Sequence, residues 1–163
     1  MTILNNKTNN TKVRDIKDIY CIYETQGKTD TELKDDLILV GNVNYNTILK
    51  SLKVSTSATA AGLTVDVVLL NRNKEEFTYT KSDGTEANLT SLKAGLSLAT
   101  ALNDQEQLTS AFKFQTLEEY IINETAQPNY REQVFVALKI KTPPTAKIKG
   151  VKILTEINFV ENV

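Results

Sequence analysis

From Val134 to Lys141 apolar and polar residues alternate: Val134, Val136, Leu138 and Ile140 on one side, Ala137, Lys139 and Lys141 on the other. After Thr142-Pro143-Pro144-Thr145 the alternation resumes as Val151, Ile153, Ile157 and Phe159 against Lys152, Glu156 and Asn158. A period of two puts apolar side chains on one face of a sheet and polar ones on the other. The two segments therefore predict strands joined as a C-terminal hairpin.

The same pattern recurs upstream. Apolar residues are dense from Val13 to Tyr23, and Gln26-Gly27-Lys28 marks a turn. Asp35-Asp36 leads into Leu37-Ile38-Leu39-Val40, apolar on both faces, as expected of a central strand. Ile48, Leu52 and Val54 are evenly spaced, with Lys50 the exception, and a small-residue loop from Ser55 to Gly62 precedes Val65, Val67 and Leu69. The unit 48 to 70 predicts an antiparallel pair. Phe77 and Tyr79 alternate towards Ser82-Asp83-Gly84-Thr85, whose Asp-Gly tolerates the positive φ of a tight hairpin turn. Between Leu89 and Leu108 the positions Leu92, Leu96 and Ala99 suit either a short helix or an irregular crossover. Thr116-Leu117-Glu118-Glu119 matches a capping box, predicting a short helix through Ile122, and Pro128 closes that region.

Residues 1–12, MTILNNKTNNTK, are polar and aperiodic, and read as an extended N-terminal arm; residues 13–163 read as a single domain. The expected class is mainly β: an antiparallel β-sandwich or jelly roll with one or two short helices. A chain of this length buries roughly 70% of its unfolded surface, so it needs no disulfide or metal to stand. Cys21 is the only cysteine and sits in an apolar run, which predicts a buried, inert thiol and a reducing compartment of folding.

Nineteen Lys and Arg against twenty Asp and Glu give a formal net charge of −1, which argues against broad binding to nucleic acid or anionic membrane. No apolar run reaches the 18 or so residues of a membrane span, and the first residues lack the apolar core of a secretory signal.

There is no histidine. That removes the commonest general base, the usual hydrolase triads and most zinc and non-haem iron sites. The carboxylate pairs Asp35-Asp36 and Glu118-Glu119 suit solvated surface and capping rather than paired acid catalysis. Ser82-Asp83-Gly84-Thr85-Glu86 lacks the ligand spacing of a calcium loop. Lys139, Lys141, Lys147, Lys149 and Lys152 form the only basic cluster, on the polar face of the expected last hairpin, where lysine blocks edge-to-edge association. No aromatics interleave them for base stacking. The Asn-x-Thr sequons at Asn6, Asn9, Asn88 and Asn123 are expected by chance in so Asn- and Thr-rich a chain. No catalytic residue, metal ligand or cofactor is expected, and the chain reads as a non-enzyme.

The segments DDLILVGNVNYNTILKSLKVSTSATAAGLTVDVVLLNRN and VFVALKIKTPPTAKIKGVKILTEINFV resemble, in their order of strands and loops, small β-sandwich virion proteins of tailed bacteriophages. The likeness covers roughly residues 35 to 70 and 133 to 160, and rests on pattern without an invariant motif. It implies a head decoration or auxiliary capsid protein, present in the virion and in the host cytoplasm during assembly. The implied partners are other virion proteins, major capsid or head–tail, and further copies of the same chain, with no membrane and no specific nucleic acid. On that reading an arm lying on a neighbouring subunit makes the contacts, through Val13, Ile16 and Ile19 with Lys7, Lys12 and Arg14. The competing reading is that Val13 to Ile19 simply begins the first strand. Other roles on the same scaffold are a head–tail connector or tail protein, a carbohydrate-binding module using Tyr45, Tyr79 and Tyr130, and a hydrolase using Asp and Glu alone.

Overall fold

The computed structural model describes residues 16–99, 105–108, 110–125 and 131–161. The strands among them are β1 (Lys17–Gln26), β2 (Leu37–Val43), β3 (Thr47–Thr56), β4 (Thr64–Leu70), β5 (Thr78–Thr80), β6 (Glu86–Asn88), β7 (Lys93–Ser97), β8 (Gln105–Glu106), β9 (Val134–Thr142) and β10 (Lys149–Glu161). A 3-10 turn at Ser110–Phe114 leads to the helix α1 (Leu117–Thr125). One sheet has the order β1-β10-β3-β8 and the second β2-β9-β4-β7, while β5 and β6 form a separate hairpin. Every pairing is antiparallel. The protein is the mainly β, antiparallel sandwich that the alternation predicts.

The sheets pack through their alternate inward residues. Val134, Val136, Leu138 and Ile140 of β9 and Val65, Val67 and Leu69 of β4 meet Leu49, Leu52 and Val54 of β3 and Ile153, Ile157 and Phe159 of β10 in one buried cluster. At roughly 25 cal/mol per Å² of apolar surface removed from water, this layer is the dominant favourable term in folding.

The pairing of strands differs from the expectation. β9 and β10 belong to different sheets, as do β3 and β4, so neither the C-terminal pair nor the 48–70 unit is a hairpin. Pro143 to Ile148 and Ser57 to Leu63 instead carry the chain from one sheet to the other. Alternation reports which face of a strand is buried, and that is the same for a strand paired with its neighbour or stacked over it. Among successive described strands of the sandwich only β4 and β7 pair, and the β5–β6 hairpin is inserted between them. Its turn has Gly84 at φ 86°, with the Asp83 carboxylate accepting from the N–H and hydroxyl of Thr85 at 2.9 and 2.6 Å.

Three further expectations are corrected. Leu37–Val40 is in an edge strand, not a central one, with Leu37 and Leu39 exposed. Ile48 is not in register with Leu52 and Val54: Ser51 pairs with Asn158 and Leu49 with Phe159, so Lys50 is the extra residue of a β-bulge. The bulge inverts the phase, and Leu49 takes the inward position. Leu92 to Leu98 is neither helix nor irregular crossover but contains strand β7, which bends at Gly95 (φ 64°) where the Asp66 carboxylate accepts the glycine N–H at 2.7 Å.

The capping box forms as predicted. The Glu119 N–H donates to Thr116 Oγ1 at 3.2 Å, and Thr116 in turn donates to the Glu119 carboxylate. The helix extends past Ile122 to Thr125, and Pro128 lies outside the described residues.

Candidate functional site

Both sheets end on the same side of the sandwich, β1 at the edge of one and β2 at the edge of the other. At one end these edges press together. A Cβ on Gly41 would stand 2.7 Å from Ile19 Cγ2, so the absent side chain is what lets β1 lie this close to β2. Two residues on, the Cys21 thiol donates to the Leu39 carbonyl at 3.4 Å. Beyond that point the edges part and leave an open groove of about 460 Å³. Cys21, Ile22 and Tyr23 form one wall, Leu37, Ile38 and Leu39 the other, and Asp30, Glu32 and Asp36 the end.

The loop that closes this end is held by a buried carboxylate. Glu32 has φ 53° and accepts from Tyr23 Oη at 2.5 Å, the Gln26 N–H at 2.6 Å and Thr31 Oγ1 at 2.6 Å. Burial opposes its charge, but the hydrogen bonds from Thr31, Tyr23, Gln26 and Gly27 outweigh that and hold the carboxyl below the usual range. Burial and the bond to Glu32 push the Tyr23 hydroxyl well up, with the charges of Glu32 and Asp36 adding to it. The Asp35 N–H donates to Ile140 O at 2.8 Å and the Ile140 N–H to Asp36 O at 2.9 Å, tying the loop to β9.

Apolar side chains surround the groove. On the outward face of β1 Tyr20 is 68% and Ile22 57% exposed, and Ile16, just before the strand, is 66% exposed. Edge strands are commonly blunted by charge, proline or a covering loop. Here Asp18 and Glu24 alternate with the apolar pair, and no described strand pairs with the outer edge of β1 or of β2. Cys21 is half-buried rather than fully buried, and burial raises its pKa, which keeps the thiol protonated.

Of the predicted contact residues, Lys7, Lys12, Val13 and Arg14 lie outside the described residues. Ile16 is exposed, while Ile19 turns inward against the core. Sequence reasoning missed Tyr20, Ile22, Leu37 and Leu39, which read as core because the chain is apolar on both faces there. The signal was present: a strand apolar on both faces is either central or an edge whose outer face is not simply solvated.

The other candidate groups are engaged elsewhere. Lys139 is bound by Glu76 at 2.9 Å and lies 3.7 Å from Asp35. Its companions Lys149 and Lys152 belong to the other sheet, so the basic series is split rather than gathered on one hairpin. Asp36 accepts the Leu33 N–H at 2.9 Å, Glu118 pairs with Arg131 at 3.6 Å, and Glu119 caps α1. Tyr45 and Tyr79 are half-buried, and Tyr130 lies outside the described residues. No described helix is long and apolar enough to cross a membrane.

The strand order and the edge groove define the class as a two-sheet antiparallel sandwich with open edges. No protein-family model matches the sequence, and no curated protein matches it. A solved structure described as "Capsid of Ralstonia phage GP4" is similar, with a TM-score of 0.61 and 15% identity over 100% of this chain and 92% of that one. At that identity the likeness is one of fold.

Proposed function

We propose that this chain is a non-enzymatic structural component of a bacteriophage virion, of the head decoration or auxiliary capsid type. The observation that carries the reading is the end-to-end likeness of fold to a phage capsid chain of similar length. The strand order supports it. Pairing β1 with β10, β2 with β9, β3 with β8 and β4 with β7 makes one long antiparallel ribbon. Rolling that ribbon so that β10 meets β3 and β9 meets β4 gives a jelly roll, an architecture common in viral capsids. Fold by itself is an analogy about function, and the open edges are the second support.

On this reading residues 1–12 form an arm that leaves the domain at 13–163 and binds neighbouring capsid subunits. Val13 and the exposed Ile16 supply apolar contact, Lys7, Lys12 and Arg14 supply charge, and Ile19 anchors the departing strand in the core. The chain acts in many copies in the virion, having folded in the host cytoplasm, with virion proteins as partners and no cofactor.

The test is density-gradient fractionation of the source lysate, with mass spectrometry for this chain across the fractions. Co-sedimentation with DNA-filled particles in stoichiometric, salt-resistant amount is the expected result. Recovery only in the soluble fraction would overturn the proposal.

A further inference from the structure

The groove between β1 and β2 combines three properties. It lies between two strand edges to which no described strand is paired. Its walls carry exposed apolar side chains, Ile22 on one side and Leu37 and Leu39 on the other. Its end carries three carboxylates, and among the described residues no Lys or Arg lines it. Glu32 is committed to its own hydrogen bonds, whereas Asp30 and Asp36 are exposed at that end, Asp36 with one oxygen on the Leu33 N–H. An occupant matched to these features is an extended peptide with apolar side chains and net positive charge.

Residues 1–15 have that chemistry. Lys7, Lys12 and Arg14 against Asp15 give +3 − 1 = +2, and Ile3, Leu4 and Val13 are apolar. Fully extended, a segment of this length spans about 50 Å, enough to reach from its own domain to the next. To lie in its own groove it would have to reverse within Val13-Arg14-Asp15-Ile16, where β1 is about to begin. That tetrapeptide offers Asp15 as its one turn-favouring residue, contains no Gly, Asn or Pro, and has two β-branched residues. A second molecule meets no such constraint.

We infer that the groove between β1 and β2 receives the basic N-terminal arm, residues 1–15, of a second copy of this chain. The arm adds a strand to the open edge, main-chain hydrogen bonds supplying affinity and the apolar walls setting register. Asp30 and Asp36 select for the cationic segment. This deepens the arm-mediated assembly proposed above and rests on that reading; gradient fractionation tests the virion role, and the experiment below tests the contact alone.

Full-length chains in a Cys21→Ala background are mixed in pairs under mild oxidation. The receiver carries Leu39→Cys, and the donors carry a cysteine in place of Asn5, Thr8 or Thr11. A second receiver, Ile22→Cys, covers the case in which the first fails to fold. The expected result is a disulfide-linked dimer of twice 18.2 kDa from at least one donor. Its yield should fall about tenfold when the receiver also carries Asp30→Lys and Asp36→Lys, and recover when the donor carries Lys7→Glu and Lys12→Glu. Three results would overturn the inference. One is no cross-link from any donor to a folded receiver. Another is a cross-link indifferent to charge reversal. The third is closure within a single chain carrying both cysteines at high dilution, which assigns the groove to the molecule's own arm.

Discussion

Replacing Glu32 by alanine should destabilise the fold by about 3 kcal/mol at neutral pH. Three donors converge on this carboxylate at 2.5 to 2.6 Å, with Tyr23 and Gln26 sharing Oε1 and Thr31 on Oε2. Hydrogen bonds to a charged group contribute about 1.5–3 kcal/mol each, but three bonds on one acceptor are not additive. Water reaches part of the loop and re-satisfies the freed donors, which brings the total down to about 3 kcal/mol. Tyr23→Phe isolates one bond and should cost about 1.5 kcal/mol.

The pH dependence is fixed by the direction of the shift. The folded carboxyl titrates below its unfolded counterpart, so as pH falls the unfolded chain takes up the proton first. The stabilisation is therefore complete above the ordinary glutamate value of about 4.3 and is lost as pH falls through the folded value. Urea denaturation followed by circular dichroism at neutral, mildly acidic and strongly acidic pH measures it. The gap between the native chain and Glu32→Ala should hold through the mildly acidic range and shrink below about pH 4. A neutral-pH loss under about 0.5 kcal/mol, or a gap that widens in acid, would refute the reasoning.

Other positions give sharper contrasts. Ile157 is fully buried on β10 between Ile19 and Leu52, and Ile157→Ala should cost about 3–4 kcal/mol in the same denaturation assay. Gly62 and Gly84 both have positive φ, but a Cβ on Gly62 would stand 2.6 Å from Thr145 Cγ2, whereas one on Gly84 meets nothing within 4 Å. Thermal melts should therefore show Gly84→Ala losing about 1 kcal/mol, from backbone strain alone, and Gly62→Ala distinctly more. Thr116→Ala removes the cap of α1 and should cost about 1 kcal/mol, with Thr116→Ser restoring most of it.

The β class of this chain was legible in its sequence because burial on one face of a strand leaves a period of two. Val134 to Ile140 and Val151 to Phe159 occupy the inward positions that alternation assigns them, and Asp83-Gly84 and Thr116 to Glu119 act locally, so turn and cap could be read from neighbouring residues. Pairing was not legible. A hydrophobic face fits equally well whether the next strand lies beside it or across the core, so β9 and β10 could be taken for a hairpin. The Lys50 bulge was hidden for a similar reason: one inserted residue imitates an outlier in a regular strand until the register with Asn158 and Phe159 is known. The edge groove depended most on tertiary structure. Tyr20, Ile22, Leu37 and Leu39 have the composition of a core, and only the positions of β1 and β2 at the ends of their sheets leave those side chains facing outward.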